Sequence, residues 1–189
     1  MTRLVYLVAI SLDGFIADPH GDFSAFPTPP AYLDHLVERF PQTIPTHVRT
    51  ALRLPVPRGR FSSVLMGWST YAVGLPVGVT SPYQHLHQVV ASRGRRRDVP
   101  DEIEVTRDPV TTVTRLRAAD DGDIWLCGGG SLAAALADEI DELILKINPI
   151  TLGAGIPLFA DPAAEPRSWA ASDVVSLPTG HVVASYARP

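Results

Sequence analysis

The chain has 189 residues, a formal net charge of −4 and 46% hydrophobic residues, which suits one globular domain over residues 1–189. The acidic balance argues against general nucleic-acid binding, which leaves a basic footprint. The single cysteine, Cys127, rules out an internal disulfide and fits a reducing compartment. No apolar run approaches the ~20 residues a membrane-spanning helix needs, so a cytoplasmic protein without membrane or nucleic-acid partners is expected.

Residues 3–11, RLVYLVAIS, form a near-continuous β-rich run, the pattern of a strand covered on both faces. The apolar stretch is short, is broken by Ser11 and Asp13 and lacks a small-residue cleavage site, so it reads as a first strand rather than a signal peptide. LDGFIADPHGD follows as a loop marked by Asp-Gly and Asp-Pro steps. In PPAYLDHLVERF (29–40), Tyr32, Leu33, Leu36, Val37 and Phe40 recur at helical spacing behind two prolines suited to a helix start. Residues 41–60 are rich in Pro and Arg and show no firm period; a helix plus a loop is one option. SSVLMGWSTY (62–71) predicts a short strand, a glycine and a Ser69-Thr70 pair suited to helix capping.

QHLHQVVAS (84–92) ends in a strand and enters the basic loop RGRRRDVP. EIEVTRD (102–108) predicts a strand, and 109–120 a helix opened by Pro109. Next come the strand DIWLC, three glycines, the helix SLAAALADEI and the strand ELILKINPI. The last segment reads as a hairpin turning at Pro-Thr-Gly. Alternating strands and helices predict an α/β fold: a mainly parallel central sheet flanked by helices, with a C-terminal antiparallel hairpin.

Gly128, Gly129 and Gly130 at a strand end let a ligand approach the main chain with no Cβ in the way. The helix behind them offers unpaired N–H groups that suit a pyrophosphate, and Ser131 can cap that helix or donate to a phosphate oxygen. The bland alternative is a tight strand-to-helix turn with no ligand. Gly128-x-Gly130-x-x-Ala133 also fits the Rossmann fingerprint, which expects a carboxylate about 20 residues onward; Lys146, Ile147 and Asn148 stand there instead. Too little chain follows for a full doubly wound sheet, so a standard Rossmann domain is not expected. His85 and His87 would share one side of a strand, yet two histidines without a third ligand make no metal site, and none is expected. Cys127 reads as a small core hydrophobe.

The ordered motifs VAISLDGFIA, VLMGWSTY, VVASR and IWLCGGGSLAAAL…DELILKINPITLGAGIPLF resemble the dihydrofolate reductase-like family, in particular the C-terminal reductase domain of riboflavin biosynthesis and its stand-alone bacterial relatives. The resemblance covers most of the chain and is weakest across 41–60 and 72–84. It implies an NADPH-dependent reductase that transfers a hydride to a small heterocyclic (pterin or aminopyrimidine-like) or carbonyl substrate, working as a homodimer. Ala9 and Ile16 would contact the nicotinamide end, with the loop from Ser11 to Ala17 closing over it. Gly67, Trp68, Ser69 and Thr70 would lie beneath the phosphates, and Ser92 and Arg93 near the adenosine 2′-phosphate. Gly128, Gly129, Gly130, Ser131 and Leu132 would cradle the pyrophosphate, the first two glycines being joined by a cis peptide in relatives. The resemblance also places Ile156, Leu158 and Phe159 near the substrate pocket or a dimer contact.

One departure concerns charge. Trp68 stands where relatives commonly carry an arginine, and the run Arg93, Arg95, Arg96, Arg97 can supply the missing positive charge. Hydride transfer also needs a proton for the atom left negative. Asp13 on the covering loop and Asp34 on the helix of 29–40 are the candidates. Two alternatives stay open. One is a true dihydrofolate reductase gripping its pterin through Asp34; the other is a non-catalytic nucleotide-binding protein of the same fold that has lost its proton donor.

Overall fold

The computed structural model describes residues 1–94, 99–161 and 165–189. Its first strand, β1 (Leu4–Ile10), lies deep inside an eight-stranded sheet. Leu4, Val5 and Tyr6 are wholly shielded from solvent. Residues two apart on a strand share a face. Val5 and Leu7 therefore enter one core with Tyr32, Leu36 and Trp125, while Leu4, Tyr6 and Val8 enter a second with Leu116, Leu126 and Leu132. Coverage on both faces explains why the strand itself, LVYLVAI, is apolar throughout rather than at alternate positions.

A short strand, β2 (Phe15–Ala17), follows, then α1 (Pro30–Arg39), with Pro in its first turn and Arg39 in its last. Tyr32 and Leu36 form the buried stripe of α1. Residues 41–60, open on the sequence, contain a 3-10 turn at Pro41–Thr43 and a short helix, α2 (Thr46–Ala51). Gln42 is the anchor of this segment: its side-chain amide donates to the Phe61 carbonyl and accepts from the Phe61 N–H at 2.8 Å, imitating a neighbouring strand. The chain continues through β3 (Phe61–Gly67), α3 (Trp68–Ala72), β4 (His87–Ala91) and β5 (Glu104–Thr106). It then forms α4 (Pro109–Ala119), which Asp108 caps by accepting from the Thr111 N–H at 3.1 Å.

Next come β6 (Asp123–Gly128), α5 (Gly130–Ala135), β7 (Glu142–Ile147), β8 (Ile156–Pro157) and the antiparallel pair β9 (Ala170–Ser176) and β10 (Val182–Ala187). The sheet order is β5-β4-β3-β6-β1-β7-β10-β9, and β2 pairs with β8 separately. The six strands from β5 to β7 are parallel, β10 runs antiparallel to β7, and β9 antiparallel to β10. The predicted fold class is therefore the observed one. Two capping expectations are not met: Gly67 and Gly129 occupy the N-cap positions of α3 and α5, so Ser69, Thr70 and Ser131 fall inside the first helical turns. α5 also stops at Ala135, short of the expected Ile140. The chain tightens there to bury Leu136 and Ile140, and the Arg188 guanidinium donates to the carbonyls of Ala137 and Ile140.

The two edges of the parallel strands differ. At the N-terminal edge Arg60 donates to Asp123 at 2.7 Å and to both Glu142 oxygens at 3.1 and 2.9 Å, tying β3, β6 and β7 together across β1. Both carboxylates are nearly shielded, with 12% and 10% side-chain exposure. Arg60→Ala should therefore cost about 2 kcal/mol, the penalty for leaving buried charged acceptors underpaired, seen as a thermal midpoint lowered by roughly 4–8 °C. The C-terminal edge is open. Among the described residues, no helix is long and apolar enough to cross a membrane.

Candidate active site

In open α/β sheets ligands settle outside the carboxyl ends of the strands, where the strand order reverses. That reversal occurs here around β1 and β6: β3, β4 and β5 extend to one side and β7 to the other. A cleft of about 970 Å³ opens at this edge, bounded by the ends of β1, β3, β4, β6 and β7 and by the turns into α3 and α5. Its size matches a ligand site.

The three glycines at its centre are needed for three different reasons. Gly128 has φ 123, a conformation that side-chain-bearing residues rarely adopt, and its peptide to Gly129 is cis, as the resemblance implies. Gly130 is packed against the protein itself. A Cβ there would stand 2.3 Å from the Pro157 carbonyl oxygen, and the Gly130 carbonyl accepts from the Ala160 N–H at 3.1 Å. Only Gly129 is bare toward the cleft: an added Cβ would meet nothing nearer than Thr70 Oγ1 at 3.6 Å and Ile16 Cδ1 at 3.7 Å.

Most of the expected cofactor residues converge on this one cleft. Ala9, Ile16, Gly67, Trp68, Ser69, Thr70, Ser92, Arg93, Gly129, Gly130, Ser131 and Leu132 all line it, whereas Gly128 is not among the lining residues and a side chain there would face Tyr6. Trp68 tilts against Tyr71 with ring centroids 5.7 Å apart and packs onto the core on the α1 side, so it supplies an apolar wall and no charge. Arg95, Arg96 and Arg97 lie outside the described residues. Arg107, just after β5, lines the cleft close in sequence to Thr106 and Pro109, and sequence reasoning passed over it.

Neither of the two expected acids, Asp13 and Asp34, is among the residues that line the cleft. Asp34 is exposed on α1, two positions from Tyr32 and Leu36, so it points away from the face that packs on the sheet. Asp13 serves as a clamp: its carboxylate accepts from Ser11 Oγ at 2.5 Å and from the N–H groups of Leu152 and Gly153 at 3.1 and 2.7 Å. The Ser11 hydroxyl first, and these amides after it, hold the Asp13 carboxyl below the usual carboxylate range. An acid so stabilised in its charged form gives up no proton at neutral pH. Its role is to tie the β1–β2 loop to the chain after β7.

The histidine pair also separates. His85 precedes β4 and donates Nε2–H to the Gln42 carbonyl at 2.8 Å, whereas His87 meets Glu104 at 3.0 Å. Among the described residues no three His, Cys, Asp or Glu side chains gather as metal ligands. Cys127 is not simply core filling. It is half-buried and lines the cleft, where burial pushes its thiol up to about 11. The Tyr83 hydroxyl is its hydrogen-bond neighbour.

The charge balance of the walls is one-sided. The chain carries 20 Asp and Glu residues, and among the described residues none lines the cleft, while Arg93, Arg107 and Lys146 do. Such a cavity concentrates anions.

A mostly parallel sheet ending in an antiparallel pair, with this cleft at the carboxyl ends of its strands, is the architecture of the dihydrofolate reductase-like reductases. The RibD C-terminal domain family model matches residues 63–182, and the chain belongs to that family. It is 28% identical over 160 residues to the uncharacterized protein YwjB of Bacillus subtilis (strain 168), covering 83% of this chain and 82% of that protein. Among solved structures, a putative riboflavin biosynthesis protein from Shewanella sp. PV-4 superposes with a TM-score of 0.71 at 22% identity, over 100% of this chain and 99% of that one. A dihydrofolate reductase from Enterococcus faecalis, solved with NADP(H), shares the fold at a TM-score of 0.64 and 15% identity, over 98% of this chain and 96% of that one.

Proposed function

We propose that the protein is an NADPH-dependent reductase acting on a small heterocyclic or carbonyl substrate. The observation that carries this reading is the cleft itself: ligand-sized, free of carboxylates among the described residues, cationic toward β4 and β5 and at Lys146 beside Ala9, and apolar around Ile16. The donor set fits the parts of the dinucleotide. Arg93 and Arg107 would hold the 2′-phosphate, since guanidinium forks match phosphate geometry. The Ser69 and Thr70 hydroxyls and the main chain of Gly129 to Ser131 would hold the pyrophosphate. Ala9 and Ile16 would flank the nicotinamide, and the loop pinned by Asp13 would keep water from it. When bound, the reduced dinucleotide supplies the hydride. With Trp68 in the position where relatives carry an arginine, phosphate recognition falls to Arg93 and Arg107.

Quenching of Trp68 and Trp125 emission by bound NADPH provides the test, since both indoles line the cleft. Saturable NADPH binding is expected, and replacing both Arg93 and Arg107 with Ala should weaken NADPH by roughly 10- to 100-fold while leaving NADH nearly unchanged. No saturation at millimolar NADPH with the protein folded would overturn the assignment. Folate reduction through Asp34 has no support in the geometry, because Asp34 is exposed on α1 and is not among the residues that line the cleft. A non-catalytic binding protein would be favoured by the lack of a carboxylic acid among the described cleft residues, were there no other proton source.

A further inference from the structure

The inner end of the cleft lies on the α1 side of the sheet, and its chemistry differs from that of the outer end. Leu7, Met66, Trp68, Tyr83, Trp125 and Cys127 wall it. Lys146 enters the same space. Side chains two apart share a face, and Ile144 belongs to the core on the α1 side, so Lys146 points there too. In the sheet it sits opposite Ala9 of β1, the residue assigned to the nicotinamide end.

Lys146 is the only lysine in the chain; the other fifteen basic residues are all arginines. The distinction has physical content. A guanidinium keeps its proton under nearly all conditions, whereas a shielded ammonium can release one. Among the described residues no carboxylate pairs with Lys146. The titratable groups facing it are the Cys127 thiol from β6 and, hydrogen-bonded to that thiol, the Tyr83 hydroxyl ahead of β4; the adjoining positions on β1 and β10 are Ala9 and Val183. Burial lowers the affinity of the Lys146 amine for its proton. A half-buried ammonium without a counter-ion, aimed into a cavity, calls for a ligand atom that accepts from it.

We propose that Lys146 anchors the substrate and donates its proton, and that the substrate is a flat conjugated carbonyl or imine compound bearing no positive charge. The inference rests on the reductase reading. Hydride from the reduced dinucleotide adds to the carbon of the C=O or C=N bond. The π pair moves to the heteroatom, which takes a proton from Lys146 Nζ. The ammonium becomes an amine and recovers its proton from water through the open cleft. A positively charged ring, such as a protonated diaminopyrimidine, is repelled by the same ammonium.

The lone lysine makes the experiment specific, because isotope-labelled lysine gives one side-chain NMR signal. That signal should titrate below the ordinary lysine value of about 10.4 because of burial, and the anchoring role requires an ammonium at pH 7. Lumazine, a flat uncharged dicarbonyl heterocycle, should move it, and protonated trimethoprim should not. Lys146→Met, near in volume, should keep NADPH affinity within about twofold. It should weaken lumazine roughly 10- to 100-fold, the loss expected for a hydrogen bond to a charged group. A signal that ignores lumazine, titrates at the ordinary value or is already neutral at pH 7 overturns the proposal, as does unweakened lumazine binding in the methionine variant. The two readings fail separately. NADPH bound with Lys146 indifferent to lumazine removes the Lys146 proposal alone, whereas lumazine sensed without any NADPH binding removes the dinucleotide assignment and with it the proton-donor role, leaving only the anchor.

Discussion

Gly130→Ala should destabilise the protein by about 2–3 kcal/mol, the upper part of the usual range for forcing an extra carbon into a packed site. The new methyl would lie 2.3 Å from the Pro157 carbonyl oxygen and 3.2 Å from the Ala160 Cβ. The first neighbour is main chain and cannot rotate away. Either the segment carrying Pro157 and Ala160 must lift, breaking the 3.1 Å bond from the Ala160 N–H to the Gly130 carbonyl, or α5 must shift on the sheet. A thermal midpoint roughly 4–12 °C lower would register the cost. An unchanged midpoint would show that the close approach of this segment does not demand a glycine.

Gly129→Asp, one residue earlier, should do the reverse: leave the fold nearly as stable and remove dinucleotide binding. Gly129 has φ −92, and a Cβ there makes only ordinary contacts at 3.6 and 3.7 Å. The carboxylate would enter a cleft whose described walls carry no other acid and would stand against the pyrophosphate. Like charges placed together cost several kcal/mol, which is at least about 100-fold in affinity. Titration with NADPH beside a thermal melt separates the two effects. Retained affinity would remove the pyrophosphate from Gly129, and a collapsed midpoint would mean that this glycine too is structural.

The architecture was largely readable from local pattern. β1 announced itself because burial on both faces leaves no polar position, α1 because Tyr32 and Leu36 repeat at four residues, and the final hairpin because Gly180 takes a positive φ at its turn. What escaped depends on partners far away along the chain. Gln42 has no periodic signature, since its partner is a strand end 19 residues on. Asp13 looked like an acid over the nicotinamide because the amides that engage it lie about 140 residues later. The glycine block seemed a single phosphate seat, yet Gly130 answers to Pro157, and nothing local foretells that approach. Lys146 was visible as the only lysine, but it acquires a role only once β7 is laid beside β1 and its side is set by Ile144.

The central place of β1 bears on how the molecule is made. Its two lateral neighbours are β6 and β7, which begin at Asp123 and Glu142. Until the polypeptide has been synthesised to about residue 128, the end of β6, β1 has neither edge satisfied, and until Ile147 it has only one, while β3, β4 and β5 can already pair with one another. Distant pairings of this kind slow acquisition of the native state and leave sticky edges bare meanwhile. Nascent chains halted before Asp123 should thus depend on chaperones, and the last parallel strand to emerge completes the wall that carries Lys146.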